Sequence, residues 1–132
     1  MERNMAKPGN KGVVRLVKAT VYSMQGLREG IINETAVRQE ILLALILTVL
    51  AFFVGETLVE LLLLIGFPWL ILAFELLNSA VEALVDRIGP EYNELSGRAK
   101  DLGSAAVFVL LCLTALVWAA VLGRNAGWWF TT

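Results

Sequence analysis

Long apolar runs separated by short polar stretches set the elements of this chain. Ile41 to Val54 and Leu61 to Phe74 are each 14 uncharged residues, and Gly103 to Leu122 is 20. About 20 apolar residues in a helix, rising roughly 1.5 Å each, cross the hydrocarbon core of a bilayer. The third run is long enough alone, and predicts a span over 103–122. The first reaches that length with its flanks, over 38–59, placing Glu40 and Glu56 near the two interfaces. The second does so only if its helix continues through a polar stripe, over 61–86, and Pro68 inside it predicts a kink. Ahead of these, residues 11–33 place Val14, Val17, Val21 and Leu27 at helical spacing among Lys11, Arg15, Lys18 and Arg28. That pattern suits a helix lying in the headgroup layer with its cations toward anionic lipid, although the same face suits packing on the rest of the protein. Gly26 and Gly30 weaken this helix and predict a break near Gly30. Residues 1–10 read as a frayed tail and 87–102 as a polar, turn-rich loop. No apolar core precedes residue 40, so no signal peptide is expected. The expected fold is an all-α membrane protein, one domain over 1–132, with a surface helix and three transmembrane helices.

The cations orient it. Seven Lys and Arg residues precede the first span, none lies between Gly55 and Glu60, and Arg87, Arg98 and Lys100 lie in the second connection. Only Arg124 follows the last span. The positive-inside bias predicts a cytoplasmic N-terminus and 87–102 segment and an outer C-terminus, with Trp128, Trp129 and Phe130 as an interfacial belt and Trp118 deeper. Composition agrees with membrane residence: 58% of residues are hydrophobic. The net charge of −1 gives no reason to expect a nucleic-acid partner. One cysteine, Cys112, and no histidine exclude an intrachain disulfide, a Cys-based metal cluster, a histidine general base and His-ligated zinc.

Against this background one stretch stands apart. At 100° per residue, Glu75, Asn78, Glu82 and Asp86 fall within an arc of about 80°, bordered by Ser79, with Leu, Val and Ala elsewhere. An unpaired carboxylate entering a bilayer costs several kcal/mol, and such groups usually serve function. Glu75 and Glu82 are about 10 Å apart along the axis, too far to hold one ion unaided. They suit two roles on one face: a deeper general base and a shallower group for a cation. The plainer reading is polar glue between helices. Glu34 is the natural second ligand beside Glu82, since Mg²⁺ is held by one or two carboxylates plus substrate phosphates; it also reads as a helix-end charge. Ser96, Arg98 and Lys100 near the start of the last helix suit phosphate capture, or an ordinary cytoplasmic loop. There is no GxxxxGK[ST] or GxGxxG loop and no HRD or DFG element, so a phosphotransferase here would belong to neither familiar class.

The run from Glu75 through Asn78-Ser79-Ala80, Glu82 and Asp86 to Gly89, with Glu91-Tyr92 and Glu94 to Ala106, resembles the small prokaryotic diacylglycerol kinases. So do Arg15, Tyr22-Ser23, Gly26 to Arg28, Ile32 to Glu34 and Arg38 to Glu40. The resemblance covers roughly 12–122, and its Leu95 to Asp101 segment is closer to the Gram-negative lipid kinase than to the Gram-positive undecaprenol kinase. It implies phosphorylation of 1,2-diacylglycerol by ATP with Mg²⁺ at the bacterial inner membrane, in a homotrimer with sites between subunits. Glu75 would be the general base, Asn78 would position the reacting groups, and Glu34 and Glu82 would hold the metal. Arg15, Tyr22, Glu91, Tyr92, Asn93, Lys100 and Asp101 would contact nucleotide. Arg15, Ser23, Arg28, Glu40 and Ser104 would line the lipid side. Two departures are evident: Asn93 stands where the enteric form has His, and Met24 where it has Trp. Rival readings are an undecaprenol kinase, a small proton-coupled transporter with Glu75 as its ionisable site, and a scaffold whose stripe only sets packing.

Overall fold

A computed structural model describes residues 12–129 as four helices in chain order: α1 (Val13–Asn33), α2 (Thr35–Val54), α3 (Leu58–Ile88) and α4 (Glu94–Asn125). The tail at 1–10, Lys11 and Phe130 lie outside the described residues. The last three helices are each long and apolar enough to cross a membrane. Among the described residues there is no strand. The chain is an all-helical membrane protein.

Helix α3 is the spine, packed against α2 on one side and α4 on the other. One core cluster is Ala51 of α2, Leu64 of α3 and Val121 of α4; a second joins Ile71 to Val107 and Leu110. Ala44 and Ala51, two turns apart on α2, are fully buried, because a small side chain there lets helix backbones approach closely where lipid removes the usual hydrophobic drive. Around this seam the large side chains face outward, among them Phe52, Phe53, Leu62, Phe108 and Leu116. Apolar exteriors of this kind are what a bilayer solvates.

Local chemistry sets the ends. Thr57 and Glu60 form a capping box at the start of α3: the Thr57 hydroxyl accepts from Glu60 N at 3.2 Å, and the Glu60 carboxylate accepts from Thr57 N at 3.4 Å. At the same end of the bundle Arg124 pairs with Glu60 and, at 3.4 Å, with Glu56. Asn125 Nδ2 donates to the Val54 carbonyl at 2.8 Å, satisfying an acceptor that the end of α2 leaves open. Trp129 folds back over Gly123 and donates to the Ala120 carbonyl at 3.0 Å; a side chain at Gly123 would have no room.

Two sequence expectations change. Helix α1 does not break near Gly30 but runs on to Asn33, with the turn at Glu34 in extended geometry (φ −111, ψ 114). Gly30 is instead a contact point: it is buried, and a Cβ there would sit 2.8 Å from Leu76 Cδ2 and 3.4 Å from Val37 Cγ1. The missing side chain lets α1 seat against α2 and α3, which outweighs the modest helix penalty of glycine. Second, the 87–102 loop is largely helix. Asn93 Oδ1 accepts from Ser96 N at 3.0 Å, capping α4 at Glu94, so only 89–93 connect α3 to α4. Trp118 lies deeper than the C-terminal belt, as its position in the last run suggests: it packs on the Ala51, Leu64 and Val121 cluster. Elsewhere on α1 the apolar residues Val14, Val17 and Val21 are exposed.

Candidate active site

The stripe read from the sequence lies on the half of α3 that α1 crosses. Glu75, Asn78 and Glu82 are all half-buried there. Asn78 Nδ2 donates to Glu82 Oε1 at 3.0 Å, a pair one turn apart that fixes the amide and holds the carboxylate upright along the helix. Asn78 Oδ1 is buried and accepts from no group among the described residues. It lies against Gly103 of α4, where an added Cβ would overlap it. Glu75 lies within electrostatic reach of both Glu82 and Glu34, and Glu40 within reach of Glu75. Four carboxylates from α2, α3 and the α1–α2 junction therefore share one region. Glu40 is only 7% exposed, and its Oε1 too has no partner among the described residues. Buried acceptors left open in a folded protein are uncommon, so two of them in one region set it apart from the rest of the bundle.

Glu34 gets there by backbone geometry. Its N–H bonds to the Gly30 carbonyl at 2.9 Å, closing α1, and its own extended φ and ψ start α2. Its side chain makes no cap hydrogen bond, which leaves the carboxylate to face a groove of about 640 Å³ between α1 and α3. Ser23, Gly26, Gly30, Leu76 and Ser79 line the same groove. Small residues on both walls make it wide enough for a chain or headgroup. Ser23 Oγ donates to the Ala19 carbonyl at 2.9 Å.

Lys100 Nζ pairs with Asp86 Oδ1 at 2.8 Å and feels the charge of Glu82, so the first turns of α4 bring a cation to the outer end of the stripe. Asp101 and Ser104 follow it on α4, both exposed. Glu91, Tyr92 and Asn93 line a separate depression of about 350 Å³ with Ile88, Gly89 and Pro90. Arg15 and Arg28 are exposed on α1 and do not line the α1–α3 groove; Tyr22 is exposed on the same helix. One chain thus gathers Ser23, Glu34, Glu40, Glu75, Asn78, Glu82, Asp86 and Lys100, and leaves the other candidates at its periphery. Two features escaped sequence reasoning. Gly103 reads as an ordinary small residue in an apolar run, and Asp86 reads as part of the stripe rather than as the partner of Lys100.

Residues 21–122 match the family described as prokaryotic diacylglycerol kinase. The chain belongs to the prokaryotic diacylglycerol kinase family. It is 55% identical over 111 residues to the diacylglycerol kinase of Haemophilus influenzae, covering 84% of this chain and 94% of that one. It is 46% identical over 116 residues to the diacylglycerol kinase of Escherichia coli K12, covering 88% and 95%. The Pseudomonas aeruginosa diacylglycerol kinase is 43% identical over 114 residues, covering 86% and 93%. This member of the kinase family is therefore an enzyme, and the matched segment contains the whole of the α3 stripe and the start of α4.

In this kinase Gly103 is the wall against which the Asn78 amide rests. Gly103→Ala forces the amide off its position or α4 away from α3, and over-packing of that kind costs about 1–3 kcal/mol. The expected result is a loss of kinase turnover of roughly tenfold, with helix content by circular dichroism unchanged. Parental turnover in Gly103→Ala would show that Asn78 needs no such wall.

Proposed function

We propose that this chain phosphorylates 1,2-diacylglycerol with ATP, giving phosphatidic acid at the cytoplasmic face of the bacterial inner membrane. Its family supports lipid phosphorylation in general; the carboxylates sharing the inner half of α3 carry the particular reading. The lipid hydroxyl oxygen attacks the γ-phosphorus of ATP in line. The bond from that phosphorus to the β,γ-bridging oxygen breaks, and ADP leaves with the electron pair. Glu75 takes the hydroxyl proton. Asn78, its amide held by Glu82, positions the reacting groups. Phosphoryl transfer of this kind is mostly positioning and charge neutralisation, so a short chain with no phosphate loop suffices.

Glu34 and Glu82 would hold Mg²⁺ on the ATP phosphates. Hard oxygen donors suit that ion, and no set of three or more His, Cys, Asp or Glu side chains is placed to cage a metal among the described residues. Two carboxylates completed by phosphate oxygens and water fit that donor set. The bound ion would neutralise phosphate charge. Lys100, Asp101, Arg15, Tyr22, Glu91, Tyr92 and Asn93 would receive the nucleotide, and Ser23, Arg28, Glu40 and Ser104 the lipid. Arg15 and the 91–93 turn lie outside the carboxylate groove of their own chain, which favours sites that form between copies; the homotrimer is what the family resemblance implies. In this arrangement the N-terminus is cytoplasmic and the C-terminus periplasmic.

Lipid-reconstituted protein with Mg-ATP, offered diacylglycerol and undecaprenol in parallel, tests the proposal. Diacylglycerol turnover is the expected result. Turnover of undecaprenol alone would keep the chemistry and change the substrate. Phosphorylation of neither by an assembled protein would overturn it in favour of transport or scaffolding.

A further inference from the structure

Helix α3 passes through Pro68 without ending, and the residue is fully buried. Proline has no N–H, so the carbonyl four residues earlier, that of Leu64, has lost its helical donor. Leu64 is itself fully buried, at a depth where no water can replace that donor. The replacement comes from another helix: Trp118 Nε1 of α4 donates to the Leu64 carbonyl at 3.3 Å. The next residue is tied the other way. Trp69 Nε1 donates to Thr48 Oγ1 of α2 at 2.9 Å, and that hydroxyl donates on to the Ala44 carbonyl at 2.7 Å. At the point where its own ladder lacks a rung, α3 is thus fastened to both neighbours by indole N–H groups. Glu75 follows Pro68 by two turns, about 10 Å further along the axis.

We propose that Trp118 is a positioning residue for the reaction. Its indole N–H supplies the donor that Pro68 cannot, and this cross-helix bond sets the direction in which the half of α3 bearing Glu75, Asn78 and Glu82 leaves the proline. The proposal rests on the lipid-kinase reading for its catalytic consequence, while the bond itself is open to a test without turnover. A proline in a helix permits a range of bend angles, because the lost hydrogen bond is what would otherwise hold the two halves straight. A fixed external donor narrows that range. The carboxylates gain from it because transfer depends on in-line placement.

The test is a double-variant cycle of Trp118→Phe and Pro68→Ala in reconstituted protein. Trp118→Phe keeps an aromatic ring but removes the N–H. Its kcat should fall by about fivefold, with KM for Mg-ATP and for diacylglycerol within about twofold of the parent. Pro68→Ala restores a backbone N–H four residues after Leu64. In the Trp118→Phe background it should bring kcat back to within about twofold of the parent. Reversible unfolding in mixed micelles gives the readout independent of activity: the two changes should be non-additive there, with Trp118→Phe harmful only when Pro68 is present. If Trp118→Phe fails to assemble, recovery of assembly in the double variant is the same test. Additive effects on unfolding, or a kcat loss that Pro68→Ala does not repair, would overturn the proposal. A parent that phosphorylates neither lipid would defeat the functional reading instead, and the unfolding cycle would still decide whether Trp118 supplies the missing donor.

Discussion

Glu75→Gln is expected to fold and assemble like the parent and to lose turnover by about 10²–10⁴-fold, the span a positioned general base contributes. The substitution keeps the size of the side chain and its place on α3, so packing against α2 and α4 is undisturbed. It removes the one property the role requires, a basic oxygen able to take the hydroxyl proton. Glu75 is the only carboxylate of the α3 stripe on the core side of Asn78, deepest along the helix from the α3–α4 connection. Glu82 and Asp86 lie progressively closer to that connection, and each already has a partner, Asn78 for the first and Lys100 for the second. Measuring lipid phosphorylation at saturating Mg-ATP alongside the oligomer's elution volume separates chemistry from assembly. Near-parental rates in an intact oligomer would remove Glu75 from the role. Reduced rates with raised KM and unchanged kcat would make it a binding group rather than a base.

The parts of this picture that were legible in the sequence are those with a period or a pattern. The three spans follow from runs of uncharged residues, because a bilayer demands apolar length and backbone self-satisfaction, and those demands are local. The carboxylate stripe follows from helical geometry alone. What the sequence hid are the places where one helix answers another. Gly30 and Gly97 have the same letter and the same weak helix propensity. Yet Gly30 is buried against Leu76 and Val37, whereas nothing lies within 4 Å of a Cβ built at Gly97. The 87–102 segment reads as loop because Gly89, Pro90 and Gly97 dominate its composition. One side-chain cap, Asn93 to Ser96 N, is enough to start a 32-residue helix whose stability comes from its long packed remainder. Glu34 illustrates the limit from the other side. Its letter fits a helix-end charge or a ligand, and only the fold shows that it stands at the α1–α2 turn with no cap bond and lines the groove between α1 and α3. The site itself was legible as a list of residues on α3, but its walls, Gly103 and the α1 glycines, were not. A wall is defined by what it leaves empty.

Glu82→Ala is expected to do more damage than loss of a single charge, because Glu82 has two tasks. It is the acceptor that holds Asn78 Nδ2, and it is one of two carboxylates assigned to the metal. Glu82→Gln separates them. Glutamine still offers an oxygen to Asn78 but has no charge for Mg²⁺, so it should retain the Asn78 geometry while shifting the Mg²⁺ midpoint upward by about tenfold or more, equivalent to about 1.4 kcal/mol. Glu82→Ala should show that shift and, in addition, a lower kcat at saturating Mg²⁺, because Asn78 then has an amide with neither end fixed. Glu34→Ala, which touches no hydrogen bond of the stripe, should reproduce the Mg²⁺ shift without the second defect. Titrating Mg²⁺ at fixed ATP in the three variants reads both quantities. Identical midpoints in parent, Glu34→Ala and Glu82→Gln would show that the metal is held elsewhere. An unchanged saturating kcat in Glu82→Ala would show that Asn78 keeps its place without it. The expected pattern, a shared midpoint shift with a kcat loss confined to Glu82→Ala, would join the metal and the positioning amide through one side chain of the stripe.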